Sequence, residues 1–190
     1  MRSKLVLAAL FFLSTLPVLA QVAPAARISG LPLGVGAGLS DYSVDYGPGR
    51  RMLGVSAWAD YSLFHGLGIE AEGTSILWDK PSSLPRMKQE TIKGGAIYKY
   101  HQVFHVRPYV KGLIGLGKID FPSINPLYTQ DTFTMYAIGG GVEYKVWKTL
   151  SVRGDYEYQY WSNYQGSNYL NPNGFTIGAT YYLRGVHRHY

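Results

Sequence analysis

The chain has 190 residues, no cysteine, 15% aromatic residues (17 Tyr against 7 Phe), 23 glycines and only 16% charged residues. This length makes one domain of ordinary size, its charge fraction lies below the ~25% usual for a soluble domain, and the lack of cysteine excludes a disulfide framework or a thiolate metal site. Without Arg2 and Lys4 of the leader, 16 bases face 12 acids, a mild surplus of +4, and no basic run interleaves with aromatics, so nothing points to nucleic acid.

The chain opens with Met1-Arg2-Ser3-Lys4, a short basic segment, followed by an apolar run from Leu5 to Leu13. Pro17-Val18-Leu19-Ala20 then ends with a small-x-small character before Gln21. This layout predicts a cleaved signal peptide over residues 1–20. The apolar run falls short of the ~20 residues of a spanning helix. Residues 21–30 read as a short Ala/Pro-rich lead-in, and 31–190 as one domain without an internal linker. No later segment is apolar enough to span as a helix, so any membrane insertion must be by strands.

From Leu33 to Leu183 apolar and polar residues alternate with period two, the mark of strands with unlike faces. The first strand, Leu33 to Tyr42, sets Leu33, Val35, Ala37 and Leu39 against glycines. In the second, Leu53, Val55, Ala57, Ala59, Tyr61 and Leu63 oppose Gly54, Ser56, Trp58, Asp60 and Ser62. The third sets Leu67, Ile69, Ala71 and Gly73 against Gly68, Glu70, Glu72 and Thr74. The fourth sets Ile92, Ala96, Tyr98 and Tyr100 against Thr91, Lys93, Gly95 and Lys99. In the fifth, Val106, Pro108, Val110, Gly112, Ile114 and Leu116 oppose Arg107, Tyr109, Lys111 and Gly115. In the sixth, Tyr136, Ile138, Val142 and Tyr144 oppose Ala137, Gly139, Glu143 and Lys145. The seventh, Leu150 to Trp161, is the clearest: Leu150, Val152, Gly154, Tyr156, Tyr158 and Tyr160 on one side, Ser151, Arg153, Asp155, Glu157, Gln159 and Trp161 on the other. A helix would smear those charges around its circumference, whereas a strand sorts them. The eighth sets Phe175, Ile177, Ala179, Tyr181 and Leu183 against Thr176, Gly178, Thr180, Tyr182 and Arg184. About eight strands near the ~9–11 residues of a tilted spanning strand predict an all-β fold, a closed antiparallel up-and-down transmembrane barrel.

Connections alternate in kind. Phe64-His65-Gly66, His101 to His105 and Val146 to Thr149 are short, whereas Ser43 to Arg50, Asp79 to Gln89, Pro122 to Asp131 and Ser162 to Pro172 are longer and rich in Pro, Gly, Ser and Asn. Short turns at one end and long loops at the other follow the outer-membrane pattern, with the long loops outside the cell.

Alternation alone does not say which face points outward, since a soluble barrel would hold its apolar face inside. The charges favour the inverted arrangement. The acids of the polar face are Asp60, Glu70, Glu72, Glu143, Asp155 and Glu157, and the bases are Lys93, Lys99, Arg107, Lys111, Lys145 and Arg153, six against six. A neutral set can interlock inside a narrow lumen where isolated charges are costly. Trp58 and Trp78 are expected to add bulk there, while Gly34, Gly36, Gly38, Gly95, Gly115 and Gly139 leave room for a narrow wet path in the outer half. On the apolar face, Tyr61, Tyr98, Tyr100, Tyr144 and Tyr181, with Trp147 in a turn, are placed to form one aromatic girdle, and Tyr136, Tyr158, Tyr160 and Phe175 the other.

The last strand, Thr176-Ile177-Gly178-Ala179-Thr180-Tyr181-Tyr182-Leu183, resembles the C-terminal insertion signal of outer-membrane proteins, with Thr176, Gly178, Tyr181 and Leu183 at its marked positions. Family members commonly end at or near that strand with a terminal aromatic. Here Arg184 to Arg188 continue before His189-Tyr190. With the signal peptide and the hairpin pattern, residues 31–183 resemble the outer-membrane β-barrel domain family, the OmpA-type transmembrane domain and its small "porin family" relatives. The resemblance implies location in the outer membrane after secretion. It also implies contact with outer-membrane lipid, and passage through periplasmic chaperones and the barrel-insertion machinery. The peptidoglycan binding of OmpA belongs to a separate domain, and the resemblance over residues 31–183 does not carry it over.

The expected role is a structural or interaction barrel whose lumen is closed by internal salt bridges and whose loops meet an unknown extracellular ligand. A narrow pore for ions or small solutes is the alternative, and an outer-leaflet lipid-modifying enzyme the third reading. Such an enzyme needs a nucleophile with a base near the outer leaflet, but His65, His101, His105, His187 and His189 all fall in the opposite turns or the tail, away from Ser40, Ser43, Ser75 and Ser162. No catalytic residue, cofactor or metal site is therefore assigned. Gly139-Gly140-Gly141 lies mid-strand and is no phosphate loop, and Asp41, Asp45, Asp79, Asp120 and Asp131 beside the long loops match no defined calcium spacing.

Overall fold

The alternating segments form β1 (Leu33–Ser43), β2 (Arg51–Phe64), β3 (Leu67–Lys80), β4 (Lys88–Lys99), β5 (Val106–Asp120), β6 (Gln130–Lys145), β7 (Leu150–Tyr164), β8 (Asn168–Leu170) and β9 (Asn173–Leu183). The structure is a computed structural model and describes residues 33–45, 49–80, 87–120, 130–164 and 168–183. The signal segment 1–20, the lead-in 21–30, the tips of the long loops, and His187 and His189 lie outside the described residues.

All pairings of named strands are antiparallel. Neighbours run β6-β5-β4-β3-β2-β1-β9-β7, and β6 pairs with β7, which closes an eight-stranded barrel. β8 is a short extra strand folded back on β7. The seam joins β1 to β9, from Leu33↔Leu183 to Ser43↔Asn173. Closure leaves the barrel without an open edge, the condition for a sheet in hydrocarbon.

The faces are inverted relative to a soluble barrel. Leu39, Ile92 and Ile138 are each 69% exposed, whereas Arg153 is 1% and Glu157 0% exposed. Side chains of this kind are favourably placed only when lipid surrounds the wall and the lumen satisfies the charges. Tyr61, Tyr98, Tyr144 and Tyr181 face outward toward the short-turn end. Toward the long-loop end, Tyr136 and Tyr160 pair across β6 and β7, Tyr160 stacks on Tyr169 with ring centres 5.7 Å apart, and Tyr156 meets Phe175 at 4.8 Å.

Three features depart from simple alternation. First, Leu53 pairs with Trp78 and Gly54 with Ile76, so Leu77 is an extra residue in a β-bulge. The bulge puts two successive side chains on one face, so Trp78 is 56% exposed on the outer wall rather than in the lumen. Second, β5 and β6 run to 15 and 16 residues, beyond the ~9–11 of a bare span. The added length takes Asp79, Asp120 and Asp131 into β3, β5 and β6. Third, much of the connection from Ser162 to Pro172 is strand, the ends of β7 and β8 forming a hairpin. The opposite end is tighter. His65 and Gly66 have φ of 47° and 86°, positive at both central positions as a two-residue hairpin turn with matched twist requires.

Candidate functional site in the barrel lumen

The lumen is built from every second residue of the eight barrel strands, and it has tiers. At the short-turn end, Lys99 Nζ donates to Asp60 at 2.8 Å, to Glu143 at 2.9 Å and to the Tyr182 hydroxyl at 2.9 Å. Tyr182 in turn donates to the second oxygen of Glu143 at 2.7 Å. Deeper, the Arg153 guanidinium makes a two-pronged contact with Glu70 at 2.6 and 3.0 Å, and its Nε donates to Asp155 at 2.9 Å. The same group lies between two aromatic faces, 4.6 Å from Trp58 and 4.7 Å from Tyr109. Such planar stacking together with a forked contact is available to arginine and not to lysine. Tyr109 completes the unit by donating to Asp155 at 2.7 Å.

Above this level two lysines hold the remaining acids. Lys111 contacts Glu72 at 2.6 Å, Glu157 at 3.1 Å and Asp155 at 3.5 Å. Lys93 contacts Glu72 at 3.1 Å and also pairs with Glu157. A ladder of hydroxyls crosses four strands beside them: Thr176 to Ser40 at 2.9 Å, Ser40 to Ser56 at 2.7 Å, and Ser56 to Thr74 at 2.8 Å. Thr74 donates to Glu72 at 3.3 Å and so ties the ladder to the ions.

The outer half holds an apolar cluster, with the buried polar side chains of Gln89 and Thr91 on β4 at the same level. Tyr42, Val44, Met52, Ile76, Met87, Leu113, Ile119, Phe133, Met135, Ala137, Trp161 and Leu170 form a buried cluster. Trp161 reaches over β6 to β5, where a Cβ on Gly117 would lie 2.2 Å from its ring. Only glycine leaves room for that approach. Trp58 is accommodated in the same way over Gly36, where a Cβ would meet it at 2.4 Å. The indole of Trp161 donates to Gln159 at 2.8 Å, and Gln159 donates to Glu157 at 2.8 Å, which links the apolar tier to the ionic one.

Ten of the twelve expected network residues come together: Asp60, Glu70, Glu72, Glu143, Asp155 and Glu157 with Lys93, Lys99, Lys111 and Arg153, all buried. Arg107 and Lys145 do not join them. Arg107 is half-buried, Lys145 is exposed, and neither forms an ion pair among the described residues. Parity assigns both to the lumen side, where Arg107 and Lys145 are the outermost such positions of β5 and β6 at the short-turn end, and the carboxylates within reach there are already held by Lys99. Of the expected six and six, six acids and four bases are therefore gathered in the network, with Arg50 a further buried base at the long-loop end. In the outer half, where the lumenal glycines leave room for a narrow wet path beside the expected plug, the structure places Trp161 and the buried cluster around it. Gln159, Ser56, Thr74 and Thr176 lie on the lumenal face to which their parity assigns them, and the structure adds Tyr42 and Ser40 of β1 to that face.

The four insertion-signal positions lie along β9 at the seam. Thr176 is buried against Ser40, and Gly178 pairs with both Gly38 and Arg153. Tyr181 and Leu183 face outward, opposite Val35 and Leu33 of β1. His65, His101 and His105 are exposed in the short turns.

No curated protein matches the chain. Among solved structures, Neisserial surface protein A (NspA) superposes with a TM-score of 0.60 at 18% identity, covering 80% of this chain and 96% of that one. Ail of Yersinia pestis gives a TM-score of 0.50 at 19% identity, covering 79% and 95%. At such identities the likeness is one of fold. The family model described as outer membrane protein beta-barrel domain matches residues 5–182. With that match over nearly the whole chain, and with the inverted eight-stranded barrel, the chain belongs to the outer membrane protein β-barrel domain family.

Proposed function

We propose that this outer-membrane barrel is a non-conducting structural and interaction protein, an anchor that holds four long connections at the cell surface. The lumen supports the reading: buried ions fill one half and a buried apolar cluster the other. An eight-stranded barrel has an interior just wide enough for side chains to fill. The loops are the part left to meet an extracellular ligand. The partners expected during biogenesis are outer-membrane lipid, periplasmic chaperones and the insertion machinery, and no catalytic step is assigned.

The test joins two measurements on the purified protein. Gel migration that depends on heating reports the closed barrel, and planar-bilayer recording reports conduction. A heat-modifiable protein without conductance steps is the expected result. Large, stable steps removed by antibody to the loops would overturn it and promote the narrow-pore reading. One observation favours that second reading: Gln89 and Thr91, buried on β4, have side-chain polar atoms without hydrogen-bond partners in the structure.

A further inference from the structure

The two ends of the barrel handle their exposed charges differently. At the long-loop end the cations Arg51, Lys88 and Lys118 pair with Asp41 at 3.2 Å, Glu90 at 2.7 Å and Asp120 at 3.5 Å, while the exposed acids Asp45 and Asp131 accept backbone N–H groups. At the short-turn end the rim cations do not pair. Arg107 and Lys145 stand at the lumen mouth and Lys148 in the adjoining turn, and none of the three forms an ion pair among the described residues. The carboxylates at this mouth, Asp60 and Glu143, are both engaged by Lys99. Among the described residues this end thus holds Lys99, Arg107, Lys145 and Lys148 against the buried acids Asp60 and Glu143.

The same three turns expose aromatic rings. Phe64 precedes His65, Phe104 precedes His105, and Trp147 precedes Lys148, and all six side chains are exposed. Phe104 is 91% exposed and its backbone has φ of 55°. A bulky residue in that left-handed region is strained, and an exposed ring gains nothing from burial in the chain. Its cost calls for a contact outside the protein. Immediately above, Tyr61, Tyr98, Tyr100, Tyr144 and Tyr181 face outward on the wall, so the turn aromatics continue the lipid-facing surface.

We infer that the short-turn rim is a docking surface for anionic phospholipid headgroups of the periplasmic leaflet. The inference rests on the outer-membrane placement and not on what the loops bind or whether the lumen conducts. Unpaired cations supply the charge complement, and the aromatic rings are amphipathic groups of the kind that settle at a headgroup layer. A polyanionic wall polymer would use the cations but would leave the rings at Phe64, Phe104 and Trp147 without a partner.

The test compares wild type with R107Q/K145Q/K148Q, each folded into phosphatidylcholine vesicles with and without phosphatidylglycerol. The folded fraction is read from the heat-modifiable band across a urea series. Phosphatidylglycerol should raise the folding equilibrium of wild type by about fivefold per engaged cation, and the triple variant should lose most of that gain. Anionic lipid is present in both leaflets of a vesicle, and the comparison between variants isolates the rim. K145Q/K148Q, which changes only exposed side chains, carries the same test if the triple variant folds poorly. An equal response in wild type and variant, or no response in wild type, would overturn the inference. Co-sedimentation of wild type with purified peptidoglycan, lost in the variant while the lipid response persists, would overturn it in favour of the wall. Conductance and loop binding are read separately, so the anchor reading can fail alone.

Discussion

At the scale of single residues, the surplus of acids in the lumenal network decides which substitutions are costly. Removing Arg153 takes the forked partner from buried Glu70 and leaves Glu70 and Asp155 only the longer ion pairs with Lys111, at 3.6 and 3.5 Å, and breaking a buried pair in this way costs about 3–5 kcal/mol. Removing an acid acts in the opposite sense. Glu157→Gln lowers the surplus while Lys93 keeps Glu72 and Lys111 keeps Glu72 and Asp155. We therefore expect Arg153→Ala to shift urea unfolding in vesicles far more than Glu157→Gln, and equal shifts would contradict the count of six against four. Gly117 gives a second residue-scale prediction. Gly117→Ala drives a methyl into the Trp161 ring and should cost about 1–3 kcal/mol, the range for overpacking. In a Trp161→Leu background most of that penalty should vanish, and a double-mutant cycle with no coupling energy would refute the contact.

At the scale of elements, the period of two governs what can be changed. Tyr156→Arg places charge on the lipid face about midway along β7 and should cost roughly 2–4 kcal/mol in bilayer folding. Leu77 is the exception to the period. Deleting it removes the bulge and leaves Trp78 outward and the rest of β3 in phase, so the protein should fold and Trp78 should still be quenched by a lipid-phase quencher. Deleting Ala71, which lies in unbroken register, turns every residue on one side of it to the wrong face and should abolish folding. The contrast marks what the sequence could and could not tell. Strands, their order and the lumenal acids follow from parity, because a strand admits only two faces. The bulge leaves no parity signal, since Leu77-Trp78 is locally indistinguishable from ordinary alternation. Depth is invisible too, which is why Arg107 and Lys145 look identical to Lys111 and Arg153 in sequence. The apolar outer tier was missed for a related reason: Met52, Ile76, Ile119 and Phe133 share the lumenal parity, but an apolar side chain there breaks the polar-inside rule by which that face was recognised.

At the scale of the whole molecule, two tiers of unlike chemistry lie in series along one lumen. Loss of either leaves the other. Trp161→Ala thins the apolar tier but leaves the Lys99 and Arg153 units in place, so no conductance steps are expected in it, recorded on heat-modifiable protein in planar bilayers. Steps in this variant would show that the apolar tier alone seals the lumen. The seam has a consequence of another kind. Leu33 and Leu183 are direct partners, so the barrel is a ring of strands with a single nick, and its first and last strands are chemically as adjacent as any consecutive pair. A circular permutant with a short link from Leu183 to Leu33 and new ends between β5 and β6 preserves every strand pairing. It should refold in detergent or vesicles much as the original does. Inside the cell it carries the Thr176–Leu183 segment in mid-chain instead of near the end. Permutation thus separates two demands that ordinary mutation of β9 confounds, the stability of the finished barrel and its recognition during delivery.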